Sequence, residues 1–213
     1  MSEVLASASA VIFDFDGPLC DVFAGHPAGV VARSLEKLLG VPVQSDDPLE
    51  VLRESREHDS DKLREVERAL IAAELHAVAC SDVTPGGLEA VRACIASSRK
   101  VAVVSNNSED AVSAFLRNVG LSDVVRPVVG RYPARPDLMK PNTWPMVCAL
   151  EALGVQAGKA VFVGDSITDL EVAAAVGTPC LAYANKPGKR EAFEAAGAAV
   201  VFTDMHQMAD ALR

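Results

Sequence analysis

Asp14 and Asp16 stand one residue apart in "AVIFDFDGPLCD" (10–21), directly after the apolar run Val11-Ile12-Phe13. A second pair, Asp165 and Asp169, closes "KAVFVGDSITD" (159–169), again after an apolar run. A third polar group, Ser105-Asn106-Asn107, ends "KVAVVSNN" (100–107). A carboxylate in such a place can attack an electrophile, pass a proton or bind a hard cation. Four carboxylates gathered in one place repel one another and need a counter-charge. A divalent cation with oxygen ligands supplies it, and Mg²⁺ is the usual choice beside phosphate. The acids at these run ends are therefore read as a shared site in which a metal and a cationic side chain offset their charge.

The elements that must bring these residues together are short apolar runs alternating with helical patterns. The runs are Val11–Phe15, Val101–Ser105, Val161–Gly164, Cys180–Ala184 and Ala199–Phe202, with a weaker one at Val124–Val129 interrupted by Pro127. Near-continuous hydrophobic runs suit strands buried on both faces, as in a parallel sheet. Ala111, Phe115, Leu116 and Val119 form a helical stripe that Asn107 or Ser108 can cap and Gly120 stops. "TWPMVCALEALG" (143–154) repeats the logic, with Pro145 in the first turn and Gly154 past the end. The pattern is α/β, a doubly wound and mostly parallel sheet. In such sheets, ligands bind beyond the carboxyl ends of the strands, where the acids stand.

Residues 20–83 break the alternation. They contain no strand-like run, and two stretches, 30–40 and 60–80, carry apolar residues at helical spacing. The expected organisation is an α/β core at 1–19 and 84–213, with a small helical module inserted at 20–83. Thr84 and Pro85 read as the cap and first position of the helix that returns the chain to the core.

Composition narrows the function classes. The chain of 213 residues carries a net charge of −9, which argues against a nucleic-acid partner. No run of 18 apolar residues suggests a membrane span. The N-terminal "MSEVLASASA" lacks the basic start of a signal peptide. The five cysteines are scattered without metal-site spacing and read as reduced thiols in a cytoplasm.

The quoted motifs resemble, in order, the four signatures of the haloacid dehalogenase-like hydrolases. "DFDGPL" is similar to DxDGxL, Ser105 to the strand ending in Ser or Thr, Lys140 in "LMKPN" to the lysine before a helix, and "GDSITD" to GDxxxD. Ser105 follows Asp14 by 91 residues and Asp165 follows Lys140 by 25, intervals that fit. The resemblance implies a Rossmann-like core with a helical cap in the insertion, and a Mg²⁺-dependent phosphatase working through an aspartyl-phosphate. It implies Asp14 as nucleophile and Asp16 as general acid and base. Asp14, Asp16 (through its backbone carbonyl) and Asp165 would ligate the metal with Asp169 in support. Ser105 and Lys140 would grip the transferring phosphoryl group, with Asn106 beside them. An aspartate at position 16 favours phosphate chemistry over dehalogenation.

The substrate expected is a small phosphorylated metabolite, such as a phosphoglycolate-like acid or a sugar phosphate. The alternative is a phosphosugar mutase of the β-phosphoglucomutase type, which shares all four motifs. His26 and Arg33 are the first candidates to meet the leaving group, followed by Arg53, Arg56, His58 and Lys62. Arg131 and Arg135, in the loop before Lys140, are candidates to reach the site. Lys186, Lys189 and Arg190 read as loop and helix-start residues. The chain is expected to work as a monomer or homodimer.

Overall fold

The computed structural model describes residues 1–213. In chain order its elements are α1 (Ser2–Ala6), β1 (Ala10–Phe13), β2 (Cys20–Asp21), α2 (Ala28–Leu39), α3 (Pro48–Ser55), α4 (Ser60–Ala79), β3 (Asp82–Val83), α5 (Gly87–Ala96) and β4 (Lys100–Ser108). There follow α6 (Glu109–Asn118), β5 (Val125–Arg131), α7 (Trp144–Leu153), β6 (Ala160–Gly164), α8 (Ile167–Val176), β7 (Cys180–Tyr183), α9 (Lys189–Ala195), β8 (Val200–Phe202) and α10 (His206–Asp210).

Six strands form one sheet in the order β5-β4-β1-β6-β7-β8, and every pairing is parallel. The continuous apolar runs have the meaning expected of them, since β1, β6 and β7 are buried at every residue. Alternate residues feed two cores. Val11 and Phe13 face a cluster with α5, α6 and α10, whereas Ala10 and Ile12 face one with α7, α8 and α9. The chain builds the sheet outward from β1 through β4 and β5, then returns to start β6 on the other side. That reversal makes the carboxyl end of β1 the switch point at which a doubly wound sheet opens a crevice.

Helices α2, α3 and α4 build a third core around Val51, Leu52, Val66 and Leu70, none of them exposed. Burying each such side chain is worth roughly 1.5–3 kcal/mol. One core residue, Met139, comes from the α/β part and seats the loop before Lys140 against the helical module. Asp59 caps α4 by accepting from Asp61 N at 2.9 Å and Lys62 N at 2.8 Å.

Two local expectations need correction. The inserted segment is not free of strands, because β2 and β3 pair antiparallel where the chain enters and leaves the helices. A two-residue strand has too short a pattern to be legible. Thr84 does not cap α5, whose N-cap is Gly86. Its hydroxyl instead donates to the Gly17 carbonyl at 2.6 Å, tying the loop after Asp16 to that neck. No helix is long and apolar enough to cross a membrane, and all five cysteines are free.

Candidate active site

Three strand ends converge. Asp14 leaves β1, Ser105 lies in β4, and Asp165 follows β6, the two strands that flank β1. Lys140 joins them from the loop before α7. It is among the largest fully buried side chains, and its Nζ lies 2.9 Å from Asp14 Oδ1 and 2.7 Å from Asp169 Oδ1. Burial works against this ammonium charge, and the two carboxylates overcome it, holding its pKa above the usual lysine value.

The backbone makes room for the acids at two glycines. A Cβ on Gly17 would stand 2.4 Å from Asp165 Cγ, and the residue has φ +97°, so glycine is required twice over. A Cβ on Gly164 would stand 2.5 Å from Asp169 Cβ. The small residue in each motif is thus what lets the next carboxylate approach.

Asp169 does two jobs at once. Its Oδ2 accepts from Asp165 N at 3.0 Å, Ser166 N at 3.0 Å and Ser166 Oγ at 2.7 Å, closing a capping box on α8. Its Oδ1 holds Lys140. Both oxygens are therefore engaged within the protein. Asp14 Oδ1 also accepts from Phe15 N at 2.7 Å, and Asp16 Oδ1 accepts from Val22 N at 3.0 Å.

Asp14, Asp165 and Asp169 each offer a carboxylate oxygen within 4.8 Å of the others, a grouping suited to a cation. With Asp169 saturated, Asp14 and Asp165 are the pair whose remaining oxygens fit a hard metal. A second feature agrees. Asn185 donates to Asp165 Oδ2 at 2.9 Å, yet its own Oδ1 is buried without a partner. A water bound to a cation held by Asp165 is the kind of donor such an oxygen needs.

Burial, reinforced by Asp169 and Asp165 and opposed by Lys140, pushes the Asp14 carboxyl up to about 8. Burial also lifts Asp16 to about 6, with Asp165 and Asp21 adding and the Val22 N–H opposing. Both values lie above that of an unfolded aspartate, so the metal-free fold binds more protons than the unfolded chain. The stability contributed here is full below about pH 4 and is lost as pH rises through about 6 and about 8. In EDTA, the melting temperature should therefore fall between about pH 5 and pH 8. Excess Mg²⁺ should recover most of the fall at the upper end by binding only the folded state. Asp14→Asn should flatten the EDTA profile. A wild-type profile that is flat or rising in EDTA would contradict this arrangement.

Lys189, expected only as a loop or helix-start residue, also reaches the site. It stands at the start of α9, and its Nζ meets Asp165 Oδ2 and Asp165 O, each at 2.6 Å. No motif marks it; only the fold brings the loop after β7 beside the loop after β6.

The helical module and the crevice enclose a cavity of about 650 Å³ lined by Asp14, Asp16, Ser105, Asn106, Lys140 and Asp165. From the module, Phe23, Arg53, Leu70 and Glu74 reach it. His26 and Arg33 do not belong to this lining. Arg33 is an exposed side chain bonded to Asp46 Oδ1 at 3.0 Å, and His26 packs edge-on against His76. Arg56, His58 and Lys62 are also outside it; Lys62 is held by Leu38 O and Glu65. Arg53, paired with Glu50, is the one cationic candidate of the module that lines the cavity. Arg135 is tied to Asp137 on the surface, whereas Arg131 is fully buried beside Asn106.

A family model, haloacid dehalogenase-like hydrolase, matches residues 8–177, from just before β1 to just past α8. The chain belongs to the haloacid dehalogenase-like hydrolases. Within the family, phosphoglycolate phosphatase from Rhodospirillum rubrum is 34% identical over 136 residues, which cover 62% of this chain and 54% of that protein. The chain thus spans about half the length of that curated relative. Among solved structures, a mutant of CbbY from Rhodobacter sphaeroides, crystallised with xylulose-(1,5)bisphosphate, has a TM-score of 0.74 at 18% identity, covering 94% of this chain and 96% of its own. A hydrolase from Pseudomonas syringae has a TM-score of 0.75 at 18% identity, covering 95% and 96%. The likeness to these two extends over the sheet and the helical module alike, and it concerns the fold.

Proposed function

We propose that this haloacid dehalogenase-like hydrolase is a Mg²⁺-dependent phosphatase of small phosphomonoesters. The observation that carries the reading is the buried lysine clamped between two aspartates, beside a third aspartate and a serine, at the sheet's switch point. Phosphoryl transfer needs positioning and charge compensation more than covalent machinery, and this is a site built for both.

Asp14 is the nucleophile, with its Oδ1 fixed by Phe15 N and Lys140. One oxygen of the carboxylate attacks phosphorus as the bond to the leaving alkoxide breaks, and the other is left to meet the metal. Asp16, lifted to about 6, holds a proton it can give to that alkoxide. Once ionised, it takes a proton from the water that attacks the acyl phosphate, which releases inorganic phosphate and restores Asp14. Ser105 and Lys140 hydrogen-bond the phosphoryl oxygens through the transfer. Asp14, the Asp16 carbonyl and Asp165 are the groups to hold Mg²⁺. When bound, it would supply positive charge that keeps Asp14 ionised and offsets the phosphoryl oxygens. Asp169 orients Lys140 and Asp165 rather than acting on substrate. Residues 20–83 form the cap that closes the cavity, with Arg53 the cap cation nearest the leaving group.

The names of the relatives put phosphoglycolate and a pentulose bisphosphate among the compounds to try. The test is inorganic phosphate release from a panel of small phosphomonoesters, including acid, sugar and polyol phosphates, in Mg²⁺ and in EDTA. Release in Mg²⁺ that EDTA abolishes supports the proposal, and the best panel member names the substrate class. Isomerised sugar phosphate without free phosphate would replace it by a mutase, and no turnover of any compound would refute it.

A further inference from the structure

A second set of buried charges borders the cavity between the cap and the core, with Glu74 also part of the cavity's lining. Arg131, at the end of β5, has no exposed side-chain surface, and it meets Glu67 and Glu74 of α4. Its Nε donates to Glu67 Oε1 at 2.9 Å and its Nη1 to Glu74 Oε1 at 2.8 Å. Two carboxylates face one guanidinium, so one negative charge is left over. Neutral donors take it up: Ser108 N to Glu74 Oε2 at 3.0 Å, Asn107 Nδ2 to Glu74 Oε1 at 3.3 Å, and Ala134 N to Glu67 Oε2 at 3.2 Å. Ser108 is the N-cap of α6, where a negative charge also meets the favourable end of the helix dipole.

These partners belong to the end of β4 and to the loop before Lys140, the two segments that carry the phosphoryl-gripping groups. From Glu74 the bonds run to Asn107, whose Oδ1 accepts from Ser105 Oγ at 3.2 Å and whose N donates to that oxygen at 3.1 Å. From Arg131 a bond runs to Asn106 O at 2.7 Å. Asn106 then pairs with the Lys140 backbone both ways, Oδ1 accepting from Lys140 N at 2.8 Å and Nδ2 donating to Lys140 O at 3.2 Å. Glu67 fixes Ala134 in the loop leading to Lys140. Ser105 and Lys140 come from different parts of the chain, and α4 of the cap is the element bonded toward both.

We propose that Glu74 and Arg131 are positioning residues, which make helix α4 the template that sets Ser105 and Lys140 for phosphoryl transfer. This rests on the phosphatase reading above.

The experiment compares wild type with Glu74→Gln, which keeps the shape but removes the charge. It adds an apolar replacement of the trio, Glu67→Met, Glu74→Leu and Arg131→Met, which leaves no buried charge unpaired. The readouts are kcat and KM on the best panel substrate, inhibition by orthovanadate as a mimic of the five-coordinate phosphoryl group, and melting temperature. Loss of a partner behind a site residue typically costs 10- to 100-fold. Glu74→Gln should therefore lower kcat by roughly tenfold or more and weaken vanadate inhibition by a similar factor, with KM changed less than threefold. The apolar trio should melt near or above wild type and still lose the same kcat. Asn107→Ala combined with Glu74→Gln should be no worse than the poorer single variant, since both lie on one path. A folded Glu74→Gln with kcat and vanadate inhibition within twofold of wild type would overturn the positioning role, whether or not the trio folds. A wild type that releases no phosphate at all would overturn the phosphatase reading instead.

Discussion

Asp14→Asn should abolish phosphate release, lowering kcat by about 10⁴-fold or more, the scale of losing a nucleophile that works within a unit. The substitution preserves shape. It can keep the bonds that Asp14 Oδ1 makes with Phe15 N and Lys140 Nζ, so the fold should survive. What disappears is the negative charge and the attacking oxygen. The folded variant should be no less stable than wild type in EDTA at about pH 8. There the wild-type carboxyl, lifted to about 8 by burial, is losing its proton among other acids. Trapping by rapid acid quench should find phosphate covalently attached to wild type and none on the variant. Residual turnover within tenfold of wild type would reject Asp14 as the nucleophile.

Lys140→Met should be the most damaging single change to the site as a whole. It leaves Asp14 and Asp169, both buried, facing each other without the cation that separates them. Removing one member of a buried ion pair costs about 3–5 kcal/mol. The cost should depend on pH in a definite direction. The carboxyls can relieve the repulsion by protonating, so the loss of stability should be smaller at about pH 5 than at about pH 8. Turnover should fall by about 10²–10³ even where the variant is folded, as expected when a preorganised group facing the transferring charge is removed. Urea unfolding at the two pH values, with kcat measured at low temperature, separates the effects. Equal stability loss at both pH values would contradict the clamp.

Much of this was legible in the sequence because the chemistry sits where periodicity ends. Asp14, Ser105 and Asp165 each follow a run of buried β-branched or aromatic residues, and a parallel sheet brings such run ends to one edge. Asp169 was legible through its spacing from Asp165 and its place at the start of a helix, although its bond to Lys140 was not. The inserted segment was legible as helices but not as a binding surface. Arg33, Arg53 and Arg56 look alike in sequence, and only packing decides that Arg53 faces the cavity while Arg33 faces Asp46. Lys189 and Glu74 were silent for the same reason. Each acts across a long stretch of chain, Lys189 on Asp165 and Glu74 on Asn107 and Arg131, and helix periodicity alone gives no reason to single out either.

The neck formed by β2 and β3 has an evolutionary corollary. Cys20 pairs with Val83 and Asp21 with Asp82, so the chain leaves and re-enters the core at a single point. Such a doorway permits one helical insert to be exchanged for another by recombination, with no disturbance to the sheet. The clasp between α4 and Arg131 restricts that freedom, because the arginine lies almost fifty residues beyond the doorway. A transplanted cap lacking both glutamates would strand a buried guanidinium. Chimeras with a foreign helical insert should therefore require a matching residue at position 131 before they fold and turn over.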